Sequence, residues 1–176
     1  AAGVERIDLV VATGAHSAAT PEEIERLVGP EVSRRYPVRS HDALAGEHDR
    51  ASDTASGVPV WIDRGWMRAD LRIALGVVEP HLLAGYSGGA KTMVIGAGGH
   101  ETIGATHGYE VLSHPSSRLG AADSVFRRFI NAAGERLGVE YVVNLVIDSN
   151  RRLIRALSGH PTAVFQEGVE TARQVY

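Results

Sequence analysis

The stretch "ADLRIALGVVEPHLLAGYSGGAKTM" occupies residues 69–93. Its first part, residues 69–78, sets Leu71, Ile73 and Leu75 on one face of an alternating apolar run, which predicts a β-strand. The continuation is of another kind. Gly85, Gly88 and Gly89 crowd together, weaken any regular element locally, and lead directly into Lys91. A strand that runs into such a loop places it at the carboxyl edge of a sheet, where open α/β domains collect their ligands. Three readings of the loop stand side by side. It is a tight turn into a helix, a cradle of backbone amides for phosphate with Lys91 adding charge, or a close approach of backbone to a cofactor that Lys91 anchors. A Walker-type P-loop needs Gly, four residues, then Gly-Lys-Ser/Thr. Here Ala90 stands where the second glycine belongs, and its β-carbon obstructs the sharp turn.

Outward from this stretch, the chain alternates strands and helices. "ERIDLVVAT" (5–13) reads as a buried strand. "TPEEIERLVG" (20–29) is a helix with Thr20 as N-cap, Pro21 in its first turn, Glu23 completing a capping box and Gly29 ending it. Residues 31–57 are polar and irregular apart from a short strand near Tyr36–Arg39, and 57–64 form another strand. Residues 100–112 and 123–137 read as helices, the second with Val125, Phe129, Ile130, Ala133 and Leu137 on one face. "VEYVVNLVID" (139–148) is a nearly continuous apolar strand, as in a sheet covered on both sides. Residues 161–176 close as a helix with Gly168 in its middle. The expected fold is α/β, a mostly parallel, Rossmann-like sheet flanked by helices, in one domain over residues 1–176.

Bulk properties narrow the function. A net charge of −3 gives no electrostatic case for nucleic acid or an anionic membrane. No apolar run approaches the roughly 20 residues that span a bilayer. No signal-peptide pattern is present and Ala1 is not an initiator methionine, so the sequence reads as part of a longer protein. With no cysteine there are no disulfides and no thiolate ligands, which fits a cytoplasmic chain. Eight histidines are then the candidate soft ligands and acid–base groups.

Three loops carry histidine beside glycine: "ATGAHS" (12–17) with His16, "EPHLLAGYSGGAKT" (79–92) with His81 and Lys91, and "HETIGATHG" (100–108) with His107. If their strands lie side by side, the loops meet at one rim. Spacing alone does not make these histidines a zinc site, because the i, i+4 pairing of a metalloprotease helix is missing. His41, His48, His100 and His160 sit in polar loops, and His114 precedes Pro115 near a helix end.

Taken together, "ATGAHS…TPEEIERLVG", "ADLRIALGVVEPHLLAGYSGGAKTMVIG", "ETIGATHG…HPSSRLG" and "YVVNLVID" resemble the nickel-dependent lactate racemase family, in order over nearly the whole chain. The resemblance implies an isomerase, a racemase or epimerase of lactate or another 2-hydroxy acid. It implies a nickel-pincer nucleotide, nickel pyridinium-3,5-bisthiocarboxylic acid mononucleotide. Carried over by motif, Lys91 would attach the pincer through a thioamide and His107 would complete the nickel coordination. His81 and His16 would be the two catalytic acid–bases. Gly85, Ser87, Gly88 and Gly89 would line the cofactor. One imidazole beside two sulfurs and a carbon suits square-planar nickel, and a base on each face of a planar intermediate is what racemisation requires.

The chain departs from the family pattern at Thr106, commonly Asn, at Ile95-Gly96, commonly Pro-Gly, and at Ala121-Ala122-Asp123, commonly Asn-Pro. The resemblance further implies that this is an incomplete N-terminal cofactor-binding and catalytic domain. A missing C-terminal domain would contact the substrate carboxylate, and the fragment alone would be inactive. Two alternatives from other classes are an NTP-dependent enzyme with a phosphate-cradling loop and a nucleotide- or metal-binding module without turnover.

Overall fold

The computed structural model describes residues 3–53 and 57–176. The chain runs β1 (Leu9–Val11), α1 (Pro21–Val28), α2 (Pro30–Arg35), β2 (Val38–Ser40), β3 (His48–Asp53), β4 (Pro59–Asp63) and α3 (Arg64–Arg68). It continues with β5 (Ile73–Val77), β6 (Pro80–His81), β7 (Gly85–Tyr86), α4 (Lys91–Val94), α5 (His100–Thr106) and α6 (Tyr109–Leu112). It closes with α7 (Val125–Arg136), β8 (Tyr141–Ile147), β9 (Leu153–Gly159) and α8 (Pro161–Val175).

The expected helix near residue 20 forms with its punctuation. The Glu23 amide donates to Thr20 Oγ1 at 3.3 Å, and the Thr20 amide donates to Glu23 Oε2 at 2.8 Å. The expectation of a mostly parallel sheet is corrected. Among the described residues the strands pair in four small sheets: β1 with β2 parallel, β3 with β4 antiparallel, a mixed sheet of β5 parallel to β8 with β9 antiparallel beyond it, and a β6–β7 hairpin. β9 runs back because residues 148–152 are too few for the crossover that a parallel return needs. Asp148 organises that turn, its Oδ1 accepting the amides of Asn150 and Arg152, both at 2.9 Å.

Other differences follow from local chemistry. The helix expected over 100–112 breaks into α5 and α6 because Gly108 is extended, with φ −69° and ψ 158°. His107 thereby becomes the residue that ends α5. β3 lies in a stretch read as irregular; its sequence "HDRASD" has no apolar alternation, and a register shift separates Arg50 from Ser52.

The main core lies between the β5–β8–β9 sheet and the helices over one of its faces. Ala74 and Val142 from the sheet, Met93 and Val94 from α4, and Phe126, Ile130 and Ala133 from α7 are buried together. Val78, Val146, Phe165, Val169 and Ala172 form an adjoining cluster under α8. A polar knot fastens the β2–β4 side: Asp63 accepts both ends of the Arg39 guanidinium and the Trp66 amide. Burial would raise the Asp63 pKa, but the neighbouring His41 ring, Arg39 and the Trp66 amide outweigh it and hold the carboxyl well below the usual range.

Ile130 is fully buried in the main core, whereas Leu27 on α1 is 66 % exposed. Ile130→Ala is therefore expected to destabilise the chain by about 2–4 kcal/mol, and Leu27→Ala by less than about 0.5 kcal/mol, measured by urea unfolding.

Candidate active site

The loop between β5 and α4 is folded back on its own strand. Ser87 fixes the fold-back: its hydroxyl donates to Val77 O at 2.6 Å, and its amide donates to Glu79 O at 2.9 Å. β6 and β7 pair within it, His81 opposite Gly85. Gly85 and Gly88 have φ of +73° and +79°, conformations that a side chain resists. A β-carbon on Gly88 would lie 2.6 Å from Val78 Cγ2 and 2.9 Å from Asn144 Oδ1. One on Gly85 would strike the backbone of Ala121. These glycines serve first to let the loop lie flat on the protein behind it.

Two buried polar side chains clamp the loop from opposite directions. Asn144 on β8, fully buried, accepts the Gly89 amide on Oδ1 at 2.7 Å. Arg127 on α7 is 1 % exposed and donates from Nη1 to Gly88 O at 3.2 Å and from Nη2 to Tyr86 O. Its guanidinium carbon lies 3.9 Å from the centre of the Phe165 ring. Among the described residues, its partners include no carboxylate. Burial lowers its pKa to about 9.

Lys91 leaves this loop as the first residue of α4, its amide donating to the same Gly88 O at 3.3 Å. Its side chain is largely buried. Burial, then the Arg127 charge, lower its pKa to about 8, with Glu79 pulling weakly the other way. A substantial share of the amine is then neutral near physiological pH, which is the form that bonds to carbon.

His81 belongs to the same group. Burial, then the charges of Lys91, Arg127 and His107, lower its pKa to about 4. Its Nδ1 accepts the amides of Leu83 and Ala84 at 3.2 and 3.1 Å. The neutral ring therefore carries its proton on Nε2.

His107 is half-buried, its ring edge-on to Phe126 with centroids 5.1 Å apart. Its Nδ1 lies 2.9 Å from Ile103 O and 3.0 Å from Thr106 Oγ1. A proton on Nδ1 donated to that carbonyl leaves the Nε2 lone pair free, the arrangement typical of a metal-ligating histidine. Among the described residues, no three His, Cys, Asp or Glu side chains are grouped to hold a metal ion. A metal bound here would have to bring most of its own ligands. The amine of Lys91 and the single free imidazole nitrogen of His107 fit a group of that kind.

The structure thus brings Lys91, His81 and His107 into one electrostatic neighbourhood, with Arg127 as an unforeseen fourth member. His16 stands apart. β1 and β5 belong to different sheets, so the strands are not paired; the loop after β1 instead meets the end of α4, the Gly14 amide donating to Gly96 O at 2.9 Å. The His16 side chain is exposed and enters none of the hydrogen bonds or ion pairs among the described residues. Gly85, Ser87, Gly88 and Gly89 are present as the loop itself, their packing side turned to protein.

Residues 1–120 match the family model described as the lactate racemase N-terminal domain. The chain belongs to that family. The lactate racemase of Thermoanaerobacterium thermosaccharolyticum is 29 % identical over 172 residues, which are 96 % of this chain and 40 % of that protein. The lactate racemase of Lactiplantibacillus plantarum is 27 % identical over 173 residues, 97 % of this chain and 41 % of its own. The solved lactate racemase apoprotein of T. thermosaccharolyticum superposes with a TM-score of 0.91 at 28 % identity, over 96 % of this chain and 41 % of that one. A protein from Thermotoga maritima shares the fold with a TM-score of 0.79 at 19 % identity, over 99 % of this chain and 48 % of its own. The chain therefore spans about two fifths of the length of the curated relatives it matches. Among the described residues, no helix is long and apolar enough to cross a membrane.

Arg127 and Asn144 carry the site without having been singled out in the sequence. Asn144 is the polar residue inside the apolar run of β8, and a buried amide there needs a partner. Arg127 shares the apolar face of α7 with Ile130 and Gly134, where a solvated arginine does not belong.

The lowered pKa of Lys91 has a consequence for stability. The folded chain disfavours the protonated amine, so this cost is complete below about pH 8 and disappears above the ordinary lysine value of 10.5. Lys91→Met is expected to stabilise the metal-free protein at neutral pH by on the order of 1–3 kcal/mol. The gain should shrink as pH rises from 8 to 10.5; urea unfolding at neutral and alkaline pH measures it, and an equal gain at both would contradict the assignment.

Proposed function

We propose that this chain is the cofactor-bearing, catalytic N-terminal domain of a 2-hydroxy-acid racemase or epimerase, acting on lactate or a close relative. Lys91 is the covalent anchor of a nickel-pincer nucleotide, His107 its nickel ligand, and His81 and His16 the two groups that exchange protons with the substrate. The observation that carries the reading is that the charges of Lys91 and His107 both act on His81, with His107 Nδ1 within hydrogen-bond reach of Ile103 O. Family membership and the names of the two relatives support it.

When bound, the nickel-pincer group supplies a reversible hydride acceptor, the difficult part of the chemistry. The chain supplies placement and proton handling. Lys91 Nζ is about half neutral near pH 8, so a lone pair is available for bonding. His107 offers Nε2, with the ring oriented by Ile103 O and packed on Phe126. A planar keto acid must be approached from both faces, which calls for two proton carriers.

His81 starts as a neutral ring with its proton on Nε2 and can donate a hydrogen bond to a substrate oxygen. To accept a proton on Nε2, the ring must first shift its own proton to Nδ1, which the Leu83 and Ala84 amides oppose. Residues 82–84 must therefore yield in each turnover, and Leu82 is already 70 % exposed. His16 comes from the far loop, and parts of the longer protein complete the cleft and hold the substrate carboxylate.

Full-length protein co-expressed with the cofactor-synthesis enzymes is expected to gain mass on Lys91. His107→Ala is expected to lose bound nickel, whereas His81→Ala keeps it and loses turnover by roughly 100-fold or more, within the usual range for an acid–base group. Intact mass, metal analysis and racemisation assays check this division; equal nickel retention in the two variants would refute it.

A further inference from the structure

The residue with no assigned role is Arg127. A buried cation without a carboxylate partner is a poor way to gain stability, since an apolar side chain of similar length does as well or better. Yet Arg127 is 1 % exposed, its Nε has no partner, and its two remaining nitrogens face the carbonyls of Tyr86 and Gly88. Those carbonyls flank Ser87, in the middle of the loop. Gly88 O is also the acceptor for the Lys91 amide, so one oxygen links the guanidinium to the residue that begins α4.

We propose that Arg127 is a positioning residue for Lys91: it holds the Tyr86 and Gly88 carbonyls from beneath, so that the loop delivers the lysine amine to the edge shared with His81 and His107. This rests on the reading of Lys91 as the anchor. Asn144 secures the loop from the sheet side through the Gly89 amide, and Arg127 secures it from the helix side. The arginine charge also works on the amine directly, adding to burial in favouring its neutral form. Among the described residues the other charged or titratable groups of this neighbourhood are Glu79, which opposes this effect, His81, which is neutral above about pH 4, and His107 beside His81. An arginine kept dry and unpaired thus serves two ends that a methionine cannot: geometry at the loop and repulsion at the amine.

The test uses the metal-free full-length protein with Arg127→Met and Arg127→Lys. Lys91 is labelled with acetic anhydride across a pH series and read by peptide mass. Wild type is expected to show its midpoint near pH 8. In Arg127→Met the midpoint rises by roughly half a unit to one unit, slowing labelling at neutral pH about three- to tenfold. Arg127→Lys restores much of the midpoint through its charge but leaves amide exchange at residues 86–91 faster than in wild type, because the fork is gone. A merely structural arginine would lower the unfolding midpoint in urea without moving the labelling midpoint. A folded Arg127→Met protein with the wild-type labelling profile would overturn the proposal. If Arg127→Met does not fold, Arg127→Lys decides: faster exchange at 86–91 supports it, and wild-type exchange overturns it. Absence of an adduct on Lys91 in the co-expressed protein would sink the functional reading while leaving this coupling intact.

Discussion

Backbone cannot press closely on backbone where a β-carbon intervenes, and the candidate site depends on several such close approaches. At Gly85 the chain lies on the Ala121 backbone, and at Gly88 on Val78 and Asn144. The resulting turn, with positive φ at both, ends with Lys91 opening α4 against the core helix α7. His81 and Lys91 take their places from that turn. His81 lies on the short strand paired with Gly85, and the Lys91 amide is tied to Gly88 O. A less compact loop would leave the lysine in water with an ordinary pKa.

Closeness has an electrostatic cost that the site turns to use. Lys91 and Arg127 are cations that both act on His81, and among the described residues Glu79 is the acid that pulls the lysine the other way. In a dry setting such a group sheds protons: His81 stays neutral to about pH 4 and Lys91 gives up its proton near pH 8. A neutral amine and a neutral imidazole with a free nitrogen are what covalent attachment and metal ligation respectively require. The same surroundings fix the His81 tautomer, with two amides donating to its Nδ1, and set Ile103 O against Nδ1 of His107.

Much of this was legible in the sequence. The capping box at Thr20 and Glu23, the strand before the loop and the apolar strand of β8 follow from residue type and spacing, whereas the roles of Lys91, His81 and His107 came from the resemblance to the family. Sheet organisation was less so, because strand direction depends on connection length and on turns such as that of Asp148, which a hydrophobic pattern does not encode. β3 escaped because a polar strand lacks the alternation that marks one. The His16 loop follows a strand as foreseen, but that strand pairs with β2 in a separate sheet, and proximity between sheets is a tertiary property. Arg127 and Asn144 were visible as polar residues on apolar faces, yet their partners, loop carbonyls and an amide, leave no mark in side-chain spacing.

The claim beneath all of this is that the glycine loop is fixed in the protein before any ligand arrives. Amide hydrogen exchange across residues 85–91 of the metal-free, full-length protein measures it most directly. The Gly89 amide, buried and bonded to Asn144 Oδ1, is expected to exchange as slowly as the ladder amides of β8. Exchange at Gly89 as fast as at the exposed residues of the His16 loop would contradict the account.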